Sequence, residues 1–219
     1  MARVEPHRTG SDRASQSAPP RRAPWSGRPP TAQPESSPDK ILDAAVTCIR
    51  LYGVEHTSIS AVAAIAGVSR PTVYAHFSTR EALVSAALEK AYGDIAAQVV
   101  ARARQRSKTP ADFVVEALVA ARREFRAEPA LNPVTWIHSR PWNSGQVISE
   151  TGGLGIVRTI LLPILSYDPA LEPQLDEIAE TSIRWLLSLL MFDSARTSSE
   201  TALRAYLRRA YVPALNLPS

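Results

Sequence analysis

Residues 57–83 read TSISAVAAIAGVSRPTVYAHFSTREAL. Two short helical patterns meet in this stretch at Gly67-Val68-Ser69, and a third helix opens at Ser78. Ile59, Val62, Ala63 and Ala66 fall on one face of the first pattern, behind Ser58 as N-cap. Gly67 permits the left-handed backbone that a tight helix-to-helix turn requires. Ser69 caps the second helix, and Pro71 is tolerated in its first turn, where its missing N–H costs no helical bond. Val73 and Phe77 are four apart and can hold this helix to a core, while most of its other side chains are polar. Ser78 and Glu81 have the spacing of a capping box for the next helix. The stretch reads as a helix-turn-helix.

Upstream, Ser37-Pro38-Asp39 supplies a cap, a first-turn proline and an acid suited to the positive helix end. Ile41, Leu42, Ala45, Cys48, Ile49 and Tyr52 then recur at helical spacing, and Gly53 gives the stop. Downstream, a fourth helix runs from about Thr79 to Gln105. Thr109-Pro110-Ala111-Asp112 opens a fifth, with Phe113, Val114, Ala117, Leu118, Ala121 and Phe125 on one face. Between Pro129 and Pro173 prolines and glycines weaken the signal to short helices at best. Two strong patterns follow, Leu175 to Phe192 and Ser199 to about Ala214. No stretch sustains strand alternation, so the chain is expected to be all-α. Its expected organisation is an arm over 1–37, a helix-turn-helix domain over 38–85 and a second helical domain over 86–219.

The arm holds seven of the 18 prolines and six Arg against three acids. It reads as disordered, either a solvated leader or a basic arm lying along DNA phosphates. Residues 38–82 carry four basic and four acidic side chains, so DNA affinity here cannot come from a broad basic patch. Cys48 is the single cysteine of 219 residues, which rules out an intrachain disulfide, and its apolar neighbours suit core packing. No apolar run approaches the ~18 residues of a membrane span, and the N-terminus lacks an apolar signal region. A cytoplasmic protein is expected. The sequence has no Walker loop, GxSxG, HExxH, CxxC pair or Rossmann fingerprint, and its four His are scattered. Neither catalysis nor a metal or cofactor is expected.

A helix in the major groove is read chiefly through its N-terminal residues. Here these are Ser69, Arg70, Pro71, Thr72, Tyr74, Ala75 and His76. Arg70 can donate two hydrogen bonds to guanine O6 and N7. Thr72 can bond a base or a phosphate, and Pro71 offers apolar surface to a thymine methyl. Tyr74, His76, Ser58 and Arg80 suit phosphate oxygens, and Ser60 lies in the first turn of the preceding helix beside them.

At these residues the chain closely resembles the TetR family of transcriptional regulators. The family pattern is an apolar first helix, a Thr/Ser-capped second helix ending in Ala-Gly-Val, then Ser-x-x-Thr-x-Tyr-x-His-Phe and a basic residue. This chain has ILDAAVTCIRLYG, TSISAVAAIAGV, SRPTVYAHF and Arg80 in that order. The match covers roughly residues 39–85. Cys48-Ile49 stands where Leu-Phe is usual, and Ser60 and Ala61 replace charged residues. The resemblance implies a homodimer on a palindromic operator, most commonly a repressor, with a helical domain that binds a small effector and dimerises. Some members of the family instead dock a protein partner through that domain.

The local sequence is compatible with both roles. A helix apolar on several faces, such as 175–192, must bury more than one side. Ile183, Leu187 and Leu190, with Leu203, Tyr206, Leu207 and Ala210 of the last helix, are the candidate dimer contacts. Phe125, Trp136, His138, Trp142, Trp185 and Met191 are the candidate walls of a pocket for an apolar or aromatic molecule.

Overall fold

Every regular element in the computed structural model, which describes residues 38–134 and 153–217, is helical. Helix α1 spans Pro38–Tyr52 and ends at Gly53, whose φ of 78° is the left-handed stop expected of it. Helices α2 (Ile59–Ala66) and α3 (Arg70–His76) follow, then the 27-residue α4 (Arg80–Arg106) and α5 (Pro110–Ala127). After a 3-10 turn at Pro129–Leu131 come α6 (Gly153–Leu161), two further 3-10 segments, α7 (Leu175–Met191) and α8 (Glu200–Ala210).

Polar caps set most of the starts. Ser58, Ser69, Thr109 and Ser199 each accept a hydrogen bond from the backbone N–H three residues on, as helix N-caps do. The start of α4 corrects one expectation. Its cap is Thr79, whose hydroxyl accepts from the Ala82 N–H at 3.0 Å. With the frame advanced by one residue, Glu81 falls one position short of closing a capping box and instead lies 3.5 Å from the Arg80 guanidinium. The last helix is shorter than its periodicity suggests. The backbone tightens into a 3-10 turn at Val212–Leu215, where Pro213 has no N–H to continue the ladder.

Helix α4 packs along α5 and also contacts α1 and α6, while α7 and α8 both lie on α5. That arrangement makes α5 the central helix. Every residue from Phe113 to Arg122 on it is buried, including the charged Glu116 and Arg122. Glu116 is held by two hydrogen bonds from Arg204 of α8, at 2.7 and 3.0 Å. Arg122 donates to the Leu189 carbonyl and to Asp193. Both charges are therefore compensated, as burial demands. One buried apolar cluster runs without a break from Ile41 through Phe113 and Ile178 to Leu215. Burying each large side chain in it stabilises by about 1.5–3 kcal/mol.

Candidate nucleic-acid interface

Helices α2 and α3 are joined by a turn in which Gly67 adopts φ 66°, ψ 35°. The Gly67 and Val68 N–H groups fold back onto the Ala64 and Ala63 carbonyls at 3.2 and 3.0 Å. That is the six-to-one, five-to-two closure of a glycine-ended helix. Only three residues then separate α2 from α3, so the two helices meet at a fixed angle.

Side-chain burial orients α3. Val73 is fully buried and Phe77 packs against the core. The other side presents Arg70, Pro71, Tyr74, Ala75 and His76 to solvent, with Tyr74 48% exposed. Among the described residues no carboxylate pairs with Arg70, so its five donors are available to a ligand. Ser58 and Ser60 are exposed at the start of α2.

Two residues of the expected set are engaged elsewhere. The Thr72 hydroxyl lies 2.7 Å from the Ser69 hydroxyl that caps α3, which leaves it capacity for two further bonds. Arg80 turns away from the α3 surface. Its Nε donates to the Thr57 carbonyl at 2.6 Å, and its Nη2 donates to the Val54 and Glu55 carbonyls at 2.5 and 3.1 Å. The loop between α1 and α2 thus takes the Nε and Nη2 donors that the expected phosphate contact at Arg80 would draw on. Sequence spacing gave no signal of this, because the acceptors are backbone atoms 23 to 26 residues away.

The three described candidate effector residues, Phe125, Trp185 and Met191, do not converge on a described cavity. Phe125 is buried with its ring edge-on to Tyr92, centroids 6.2 Å apart. Burial there pushes the Tyr92 hydroxyl up to about 12. Trp185 packs against the rings of Tyr206 and Tyr211, and Met191 is exposed. Trp136, His138 and Trp142 lie outside the described residues. A cavity of about 350 Å³ lies between α4, α5 and α8 and is lined largely by Arg102, Arg106, Glu116, Arg123, Glu200 and Arg204. A second, of about 160 Å³, lies between α7 and the Val212–Leu215 turn. Neither is lined by Phe125, Trp185 or Met191.

The dimer candidates divide. Ile183, Leu203 and Leu207 are buried within the protomer, because α7 and α8 turn these side chains onto α5 and the core. Little of their surface is left for a second copy. Leu187, Leu190, Tyr206 and Ala210 keep partial exposure.

A fixed pair of short helices, the second offering a solvent-facing Arg, Tyr and His, defines a helix-turn-helix DNA-binding protein. Residues 41–87 match the sequence profile of bacterial regulatory proteins of the tetR family. An uncharacterized HTH-type transcriptional regulator of Mycobacterium tuberculosis is 26% identical over 172 residues, spanning 78% of this chain and 83% of the relative. Another from the same organism is 28% identical over 118 residues, 51% of this chain and 60% of the relative. The TetR family repressor AlkX of a Dietzia species, implicated in n-alkane biodegradation, superposes with a TM-score of 0.57 at 18% identity, covering 82% of this chain and 95% of its own. A TetR-family regulator of Streptomyces coelicolor gives 0.53 at 19% identity, covering 84% and 98%. These two share the fold. Residues 41–87 thus carry a TetR-type DNA-binding region, and the chain resembles HTH-type transcriptional regulators over most of its length. No described helix is long and apolar enough to cross a membrane.

Proposed function

We propose that the chain represses transcription as a homodimer on a palindromic operator, and that a small apolar or aromatic molecule bound within residues 86–219 releases it. The observation that carries the reading is the solvent-facing side of α3, where Arg70, Tyr74 and His76 surround a helix pinned by Val73. Arg70 and Thr72 read bases. Ser58, Ser60, Ser69, Tyr74 and His76 fix the register on the phosphates, and Pro71 packs on the groove wall. Two-fold symmetry of the protein sets two-fold symmetry of the site. The partly exposed Leu187, Leu190, Tyr206 and Ala210 of α7 and α8 supply the contact with the second copy. Release follows if the effector binds the DNA-competent conformer less tightly than the alternative.

Selection of binding sites from random double-stranded DNA tests this reading. Enrichment of a palindrome with half-sites about one helical turn apart is the expected result. Recovery of no symmetric site overturns it. A second reading, in which residues 86–219 dock a protein partner, draws on the packed state of Phe125 and Trp185 and on the exposed Met191 and Phe192. Mass spectrometry of the native protein separates the two, since a co-purified small molecule favours the sensor.

A further inference from the structure

The Arg80 guanidinium is the first-turn side chain of α4; apart from the exposed Glu81 carboxylate 3.5 Å from its Nη1, its close acceptors lie in the loop that leads into α2. That loop is tied from within as well. The Thr57 N–H donates to the Val54 carbonyl at 3.2 Å, and the Thr57 hydroxyl donates to the Gly53 carbonyl at 2.9 Å. Thr57 is 1% exposed. The next residue, Ser58, is the N-cap of α2. The orientation of α2, and through the Gly67 turn that of α3, is thus fixed relative to α4 by three hydrogen bonds from one planar cation.

We infer that Arg80 is a positioning residue for DNA reading: it clamps the 54–57 loop to the start of α4 and acts on operator affinity through the placement of α2 and α3, not through a phosphate. The inference rests on the regulator reading above only for its DNA arm. A guanidinium suits this task because its fixed fork serves several carbonyls at once. A lysine keeps the charge but presents a single point donor on a flexible stem. A phosphate contact, by contrast, is largely served by either cation.

The test compares the full-length chain with Arg80→Lys, Arg80→Gln and Thr57→Val. Thr57→Val loosens the same loop with no change of charge. Affinity for the selected palindrome is measured by fluorescence anisotropy across a salt series, and hydrogen exchange of residues 54–62 is followed in the free protein. Arg80→Lys should bind roughly tenfold more weakly, with exchange of the loop and the first turn of α2 accelerated. Its salt dependence should be unchanged, and Thr57→Val should shift affinity and exchange the same way. Wild-type affinity in Arg80→Lys would overturn the inference. So would a salt slope in Arg80→Gln shallower by about 0.9 for each protomer's lost phosphate contact. Unchanged exchange in both Arg80→Lys and Thr57→Val overturns it whether or not a palindrome is found. Absence of a palindrome with accelerated exchange instead removes the operator reading and leaves the clamp.

Discussion

Replacing Arg70 by alanine isolates the chemistry assigned to α3. The side chain is exposed at the first position of the helix and pairs with no described carboxylate. Its removal therefore breaks no ion pair among the described residues, and the change in unfolding free energy should stay within about 0.5 kcal/mol. Binding should respond strongly. A bidentate arginine–guanine contact is worth about 1–3 kcal/mol of discrimination. A dimer makes it twice, so the loss on the preferred operator is about 2–6 kcal/mol, or roughly thirtyfold to beyond ten-thousandfold. Because the contact is to a base edge, sequence preference should fade at one symmetric pair of operator positions and persist elsewhere. Competition anisotropy against a panel of single-base operator variants measures both effects, and thermal melting checks the fold. Unchanged affinity with an unchanged preference profile would refute the assignment. A loss shared equally by all sequences, with a shallower salt dependence, would place Arg70 on a phosphate instead.

Other consequences concern stability and assembly. Arg204→Met should strand the Glu116 carboxylate, which is 7% exposed and held by Arg204 through both oxygens. A cost of about 3–5 kcal/mol in urea unfolding is expected, with most of it recovered in the Glu116→Met/Arg204→Met double variant. Asp193 is held below the usual carboxylate range chiefly by its hydrogen bond from Arg126, with Arg122 adding to it. At Asp112 burial pushes the other way but is outweighed by Arg208 and the Lys108 N–H. A depressed carboxylate contributes stability that is present above its unfolded value, near pH 4, and is lost as pH falls through the folded value. Asp193→Asn should therefore flatten the fall in stability below about pH 4, as read by chemical denaturation across a pH series. Leu190→Glu places a charge on a partly exposed position of α7. It should convert the proposed dimer to a folded monomer by light scattering, and a persistent dimer would move the interface elsewhere.

Local chemistry made the helix-turn-helix legible. Ser58, Gly67 and Ser69 each have a conformational job that few other residues do as well, and Val73 and Phe77 mark the buried side of α3. The start of α4 was less so. Ser78 and Thr79 are both competent caps, and the choice between them depends on where Phe77 leaves the backbone after α3. Arg80 was illegible for a different reason: a basic residue at a helix start looks alike whether it faces phosphate or backbone carbonyls brought there by the fold. On α5, α7 and α8 periodicity identified the apolar positions but could not rank their partners. Ile183, Leu203 and Leu207 went to the protomer's own core, and the central place of α5 gave Glu116 and Arg122 a burial that their charge would not suggest. In each case the missing information was tertiary.

The length of α4 carries a mechanical consequence. Its 27 residues make a rod of about 40 Å at 1.5 Å per residue. A rotation of about 5° about one end sweeps the other through roughly 3.5 Å by that length. Hydrogen bonds to base edges tolerate only a few tenths of an ångström beyond about 3 Å. In the proposed dimer, a sweep of that size would carry the two halves out of register with their grooves. The rod would then work as a lever whose gain is set by helix length.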